Sequence, residues 1–484
     1  MILRCLIFSL YLISSSAFGK TLYIPTPSLP LSFNPLNIID IFSINVVNQI
    51  HKTLFTVNEN QDAVPEIVKT FNVSRDGRVY HFELKKMFYH DGQSLEAKDV
   101  KDSLERSIKN KVVGSQKFDR IIGFDEFLSG KAKIIDGIKV KNKREFTINL
   151  NKAFPRMIKV LSDPRYSIFK NTKKSEVGLG EYKVASTTKD KVTLSSALPN
   201  LFFDQIVYLK RDKKEAKAMF NLRSYISLMM YSISQKDAED LKARTKARVL
   251  EVPSFRNYML AVSGQRQKSL TQRNRILSVI NREKIVNDCY KSEKISNNFV
   301  PFGFPGYRQG GYKFNLSSKV TKNKSIKETP LKIVVLRGVG NEICVRDSLK
   351  NQLKRFSPSV IIVDSAKGSN MWLNNEVDVL FLYMEAELGV DMLDFYVANE
   401  GFHLGDLEVK ESFSKELNRL NSLSTNKDYY SSTIHLAQKI MARNTILPLF
   451  SPKLFILNSN KVPDFRRGYF TPTFSKFSKF ENIK

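Results

Sequence analysis

The stretch Tyr80–Ile108, YHFELKKMFYHDGQSLEAKDVKDSLERSI, holds three local patterns in succession. Tyr80, Phe82 and Leu84 alternate with polar residues, which predicts a strand. Asp91-Gly92 is a turn pair, because glycine takes backbone conformations that side chains disfavour. Val100, Leu104 and Ile108 then recur at helical spacing behind Ser94, a residue type that introduces helices. The acids Glu96 and Asp99 fall near the helix start, where negative charge is favoured by roughly 0.3–1 kcal/mol each. His90, Asp91, Glu96 and Asp99 therefore read as strand, turn and helix architecture rather than as an acid–base cluster or a metal site.

Around this stretch the chain alternates strand and helix patterns. Thr21–Ile24 and Phe146–Leu150 read as further strands, and Arg75-Asp76-Gly77 as the hairpin turn before Val79–Leu84. Helical spacing appears in Lys98–Ile108, Lys214–Leu222, Arg273–Asp288, Val345–Arg355 and Tyr429–Arg443. Leu331–Leu336, the helix Val345–Arg355 and Val360–Val363 make a strand–helix–strand unit, and Val377–Tyr383 adds a buried strand. Pro301–Pro330 reads as a long surface connection. The pattern predicts mixed α/β architecture, and 484 residues exceed one ordinary core, so two or three domains are expected.

The first residues, MILRCLIFSLYLISSSAFGK, set Arg4 before an apolar run, Leu6–Ile13, and a small-residue exit. That is the pattern of a secretory signal peptide, residues 1–19, cleaved after Gly19. Lipid-anchored leaders carry a cysteine just after the apolar core, whereas Cys5 precedes it, so no lipobox is read. Without the leader, Cys289 and Cys344 remain, and they permit one bridge in an oxidising compartment. Lysine and arginine total 77 against 48 acids, a formal charge of +29. Such a field favours acidic ligands, anionic surfaces or nucleic acid. No nucleic-acid-binding module accompanies it, and the lysines are spread along the chain, which reads first as a solvated basic surface.

Catalytic and metal signatures are missing from the sequence. His51, His81, His90, His403 and His435 lack metal-ligand spacing. There is no G-x-S-x-G elbow, P-loop or H-E-x-x-H, and Gly178-Leu179-Gly180 lacks the third glycine of a dinucleotide loop. Nothing in these residues argues for catalysis, a metal site or a cofactor.

Phe88–Arg106, FYHDGQSLEAKDVKDSLER, resembles the signature of the family 5 extracellular solute-binding proteins, the oligopeptide and dipeptide receptors of ABC importers, with Lys98 where that family usually has an acid. Other motifs fall in family order: Phe33-Asn34-Pro35; Val64-Pro65-Glu66; GLGEYKV (Gly178–Val184), with Glu181 where the family has proline; RNRILSVINREKIV (Arg273–Val286); PFGFPGY (Pro301–Tyr307); and HLAQKIMARNTILPLF (His435–Phe450). The resemblance implies an α/β, two-lobed periplasmic-binding-protein fold with a discontinuous first lobe. That lobe would take residues 20–250, including an extra subdomain at about 45–175, and residues 451–484; the second lobe would take 251–450, with one crossing near Leu447–Phe455. It further implies a periplasmic monomer that captures a peptide or similar small polar ligand for an inner-membrane ABC permease. Ligand contacts are expected at Glu387, Asp391 and Met384 of the second lobe, where the family's acid follows a buried strand, and at Phe33 and Asn34 of the first. Met384 replaces a family tryptophan, and Ser227 stands near a family aspartate. These departures leave a second reading, a non-transport descendant acting as a sensor or envelope interaction protein.

Overall fold

The computed structural model describes residues 19–463 apart from 39, 59–61, 113–114, 173–175, 221, 232, 255, 292, 314–328, 386–392, 394–406, 421–422 and 424–425. Residues 1–18 of the leader therefore lie outside the described residues.

The first sheet runs in the order Thr21–Thr26, Gln205–Lys210, Lys191–Ser196, Tyr182–Thr188, with only the first pair parallel. Its Leu22 and Ile24 are fully buried and pack in one core with Ile206, Tyr208, Val192 and Leu194, and with Val46 and Ile50 of the helix Ile41–Ile50. Asp40 starts that helix by accepting hydrogen bonds from the Phe42 and Ser43 amides, both at 2.9 Å. Bridges from Tyr23 to Ile226 and from Ser227 to Asn458 continue the layer towards the antiparallel pair Arg248–Pro253 and Lys453–Asn458.

Inserted into this layer is a four-stranded antiparallel sheet in the order Val68–Val73, Val79–Leu84, Glu145–Asn149, Ile138–Val140. Val79–Leu84 coincides with the predicted strand, and Gly77 closes the turn before it with φ +71°. The predicted Lys98–Ile108 helix spans Ala97–Lys109, and Val100, Leu104 and Ile108 bury against Tyr80, Phe82 and Phe146. Apolar spacing set this pairing because both elements must hide one face.

A five-stranded mixed sheet follows, ordered Ser359–Val363, Lys332–Leu336, Val379–Glu385, Arg256–Val262, Ile446–Phe450. The predicted strand–helix–strand unit is present: Lys332–Leu336 and Ser359–Val363 run parallel and flank the helix Glu342–Gln352. Two expectations need correction. Arg273–Asp288 is two helices, Leu270–Leu277 and Arg282–Cys289, because the Asn281 side chain accepts from the Lys284 amide at 2.8 Å and starts a new one. Pro301–Pro330 is not a surface connection along its described part, since Phe304 and Tyr312 are buried in the core under the five-stranded sheet. Cys289 and Cys344 form the disulfide that the sequence left open, tying the end of the second helix to Glu342–Gln352, with Cα atoms 5.7 Å apart.

Candidate functional site

The signature stretch is fastened by structural contacts at its turn and at its helix start. Gly92 has φ +85° and donates to the Tyr89 carbonyl, closing the turn. The His90 amide donates to the Gly178 carbonyl at 3.0 Å, and its Nε2 lies 2.8 Å from the Gly180 carbonyl. The turn is thereby fastened to the GLGEYKV motif. Gly178 and Gly180 press on the end of the helix Ile41–Ile50, where a Cβ would come within 2.0 Å of the Ile50 carbonyl and 2.1 Å of the Gln49 carbonyl. Helix entry differs from expectation: Ser94 bridges to Phe88, and Glu96 is the N-cap, its amide donating to the Asp99 carboxylate at 2.9 Å. Sequence could not separate Ser94 from Glu96, since both precede the apolar spacing.

Burial holds the His90 imidazole below its usual range, against the hydrogen bond to Gly180 and the charges of Glu181 and Asp91, which act to raise it. A depressed pKa contributes stability that is full above the unfolded value, about 6.5, and is lost as pH falls through the folded value. Melting temperature should therefore drop more steeply below pH 6.5 in the wild type than in His90→Gln, with ligand affinity changed by no more than a few-fold. Parallel melting profiles, or lost binding at an unchanged melting temperature, would overturn the architectural assignment.

The strands that connect the first layer to the five-stranded sheet form the second candidate region. Arg248–Pro253 pairs with Lys453–Asn458, and immediately beyond, Arg256–Val262 pairs with Ile446–Phe450. Two chain segments thus cross side by side, one between Pro253 and Arg256 and the other between Phe450 and Lys453. The crossing is held by specific contacts. Asn257, buried, donates to the Phe299 carbonyl at 3.0 Å and accepts from the Ser451 hydroxyl. Lys453 pairs with Glu251 at 2.7 Å and its amide donates to Glu293, whose carboxyl burial raises. Beside it lies an aromatic group: Tyr258 stacks on Phe450 with centroids 4.4 Å apart, neighbours Tyr290 and Tyr383, and the Arg256 guanidinium lies 4.2 Å over the Tyr383 ring. An arginine on an aromatic face presents a directional cation to a polar ligand.

The residues implied by the resemblance are distributed as follows. Met384 pairs with Asn257 across the sheet and is 8% exposed, packed in the core of the five-stranded sheet. Phe33 packs against the core of the first sheet, and its carbonyl lies 3.1 Å from His51 Nε2. Asn34 caps a single turn, Pro35–Asn37, and donates to Glu176 at 2.8 Å. Met384 and the Phe33–Asn34 pair thus belong to different cores. Glu387 and Asp391 lie outside the described residues. Sequence reasoning missed Arg256 and Tyr383, for which the available signal was tyrosine and arginine at the ends of apolar strands flanking the crossing.

Separately cored α/β sheets joined by paired crossing strands define a binding protein of the periplasmic-binding-protein fold. The described model of bacterial extracellular solute-binding proteins, family 5 (middle), matches residues 62–328. The chain belongs to the family 5 extracellular solute-binding proteins. It is 27% identical over 157 residues to the dipeptide-binding protein of Lactococcus lactis subsp. cremoris, covering 32% of this chain and 28% of that one. It is 23% identical over 292 residues to the nickel-binding protein NikA of Staphylococcus aureus, covering 57% of this chain and 55% of that one. The matched part thus spans about half or less of each curated relative. Among solved structures, the unliganded open form of the periplasmic murein tripeptide binding protein MppA superposes with a TM-score of 0.76 over 95% of this chain and 97% of that one, at 15% identity. That last likeness is one of fold.

Proposed function

We propose that this chain is exported by its leader to the periplasm, holds a peptide or a similar small polar ligand between two lobes, and delivers it to a membrane permease without chemical change. The paired crossing at Pro253–Arg256 and Phe450–Lys453 carries the reading, because two short antiparallel connections lying side by side permit one sheet to rotate on the other. The lobes would be residues 20–250 with 451–484, and 251–450. Distinct cores support the division: one joins Leu22, Tyr208 and Ile456, while another gathers Tyr258 through Phe450. Contacts across the divide are ones that only a joined arrangement makes. Val57, 1% exposed, packs into the core of the five-stranded sheet, and Arg156 lies 5.4 Å over the Tyr429 ring. A ligand that adds contacts to this arrangement alone drives closure.

The relatives named above are a dipeptide-binding and a nickel-binding protein, so ligand class is the first quantity to measure. Native mass spectrometry of molecules retained through purification identifies the ligand, and small-angle scattering tests the hinge. Saturating that ligand should shrink the radius of gyration. An unchanged radius at stoichiometric occupancy would reject closure. With a formal charge of +29, association of acidic peptides should slow steeply with added salt while dissociation changes little, and neutral peptides of equal length should show little effect. Equal salt dependence for both, by stopped flow, would remove steering.

A further inference from the structure

Arg156 is shared by two cores. Its guanidinium stands 5.3 Å over the ring of Phe154, buried in the core of the inserted four-stranded unit, and 5.4 Å over the ring of Tyr429, buried in the core of the five-stranded sheet. A guanidinium between two aromatic faces is attracted to both. Each side of this contact is held by its own unit. Arg156 leads into the short helix Met157–Val160, whose Met157 and Val160 are buried in the inserted unit, and the Phe55 amide donates to the next carbonyl, that of Leu161, at 3.4 Å. Opposite, the Tyr307 amide donates to the Phe304 carbonyl at 2.9 Å, the Tyr312 hydroxyl donates to the Gly306 carbonyl, and Arg308 donates to Gln438 of the helix Asn426–Ala442 at 2.8 Å. Between the two sides lies a cavity of about 20 Å³, walled by Arg156, Lys159 and Val160 from the inserted unit and by Phe304, Pro305 and Tyr430 from the other. Close-packed interiors leave few such voids, so two preformed surfaces touch here without interdigitating, as a contact that opens and re-forms requires. A Cβ on Gly306, in the same turn as Phe304 and Pro305, would come within 3.2 Å of Leu393, two residues after Asp391. The contact therefore sits beside the segment in which the second lobe's ligand contacts are expected.

We infer that Arg156 and the helix Met157–Val160 are a clasp by which the inserted unit holds the second lobe closed before any ligand arrives. The inference rests on the two-lobe reading above and concerns how that site is regulated. The crossing strands permit rotation but favour no particular angle. The clasp does, because its contacts exist at one angle only. A ligand held by the closed state binds in proportion to the fraction of empty protein already closed, so residues of the inserted unit tune affinity from outside the crossing region.

The test uses the chain from Lys20 onward, dialysed free of small molecules, with spin labels at Ile134→Cys in the inserted unit and Lys350→Cys in the second lobe, both exposed positions. Electron–electron double resonance reads the distribution of distances between them. Arg156→Met, which keeps an apolar stem and removes the cation, should shift the closed-to-open ratio towards open by about 2- to 30-fold. Val160→Ile, which adds one methylene towards the cavity, should shift it towards closed by about fourfold. Arg120→Met is the control: Arg120 lies 5.0 Å over the same Phe154 ring but donates to the Ala153 carbonyl within the inserted unit, and its loss should leave the ratio unchanged. Shifts of the opposite sign, or an equal shift in the control, would overturn the clasp. So would a single distance common to the wild type and both variants; whether the lobes move at all is then decided separately, by the change of radius on ligand binding.

Discussion

Lys52→Met is expected to lower stability by about 3–5 kcal/mol, because it leaves two carboxylates buried without their cation. Lys52 is buried, pairs with Glu66 at 3.6 Å and makes a shorter contact with Glu181. Glu66 is itself held by the Thr53 amide and hydroxyl, both at 2.9 Å, so it cannot turn to solvent without breaking further bonds. Calorimetry of the single variant should show the loss. The triple variant Lys52→Met, Glu66→Gln, Glu181→Gln should recover much of it, since neutral amides are far less costly to bury. A pH series adds a check. Burial acts to lower the Lys52 pKa, yet the two carboxylates outweigh it and raise the pKa above the usual value of 10.5. The ion pairs therefore contribute fully below about 10.5 and fade as pH rises through the folded pKa. The wild type should lose this increment at alkaline pH, and Lys52→Met should not. A single variant as stable as the wild type would mean the carboxylates find other partners.

Removing the disulfide by Cys289→Ser, Cys344→Ser should cost about 4 kcal/mol, the loop-closure value for the 55-residue separation. The chain has one tryptophan, Trp372, and it is buried in the same core as Cys289, so its fluorescence reports this unit directly. The denaturant midpoint by that signal should fall in the double variant and, equally, in reduced wild type. If reduction leaves the midpoint in place, the bridge contributes nothing to the resting fold.

Local patterns were legible because each is decided within a few residues. Tyr80, Phe82 and Leu84 could bury only as a strand, and Val100, Leu104 and Ile108 only as a helix face, and both appear where expected. The break between Leu277 and Arg282 was missed because Ile276, Ile280 and Ile285 continue apolar spacing across it; a capping asparagine overrode the period. The Lys52–Glu66–Glu181 group was invisible for a different reason. Its members are distant in sequence and meet only once the Gly178–Gly180 contact has brought Glu181 to the helix end. The candidate site was read least well. Motif order located a likeness, but the stacking of Arg256 on Tyr383 depends on strand register, Arg256 opposite Glu385 and Tyr258 opposite Tyr383, which no local pattern encodes.

The order of chain synthesis meets this topology unevenly. Arg256–Val262 and Ile446–Phe450 complete the five-stranded sheet before Lys453–Asn458 emerges, so that sheet assembles from a continuous length of chain. The other layer must wait. Arg248–Pro253 finds its strand partner in Lys453–Asn458, and the segment Ile226–Leu228, already joined to Tyr23 on one side, gains its second neighbour there, so until then each presents an open backbone edge to any neighbouring chain. A nascent or truncated chain that stops before Lys453 therefore carries one finished sheet and one unguarded one, and self-association through those edges is the hazard that the last strand removes.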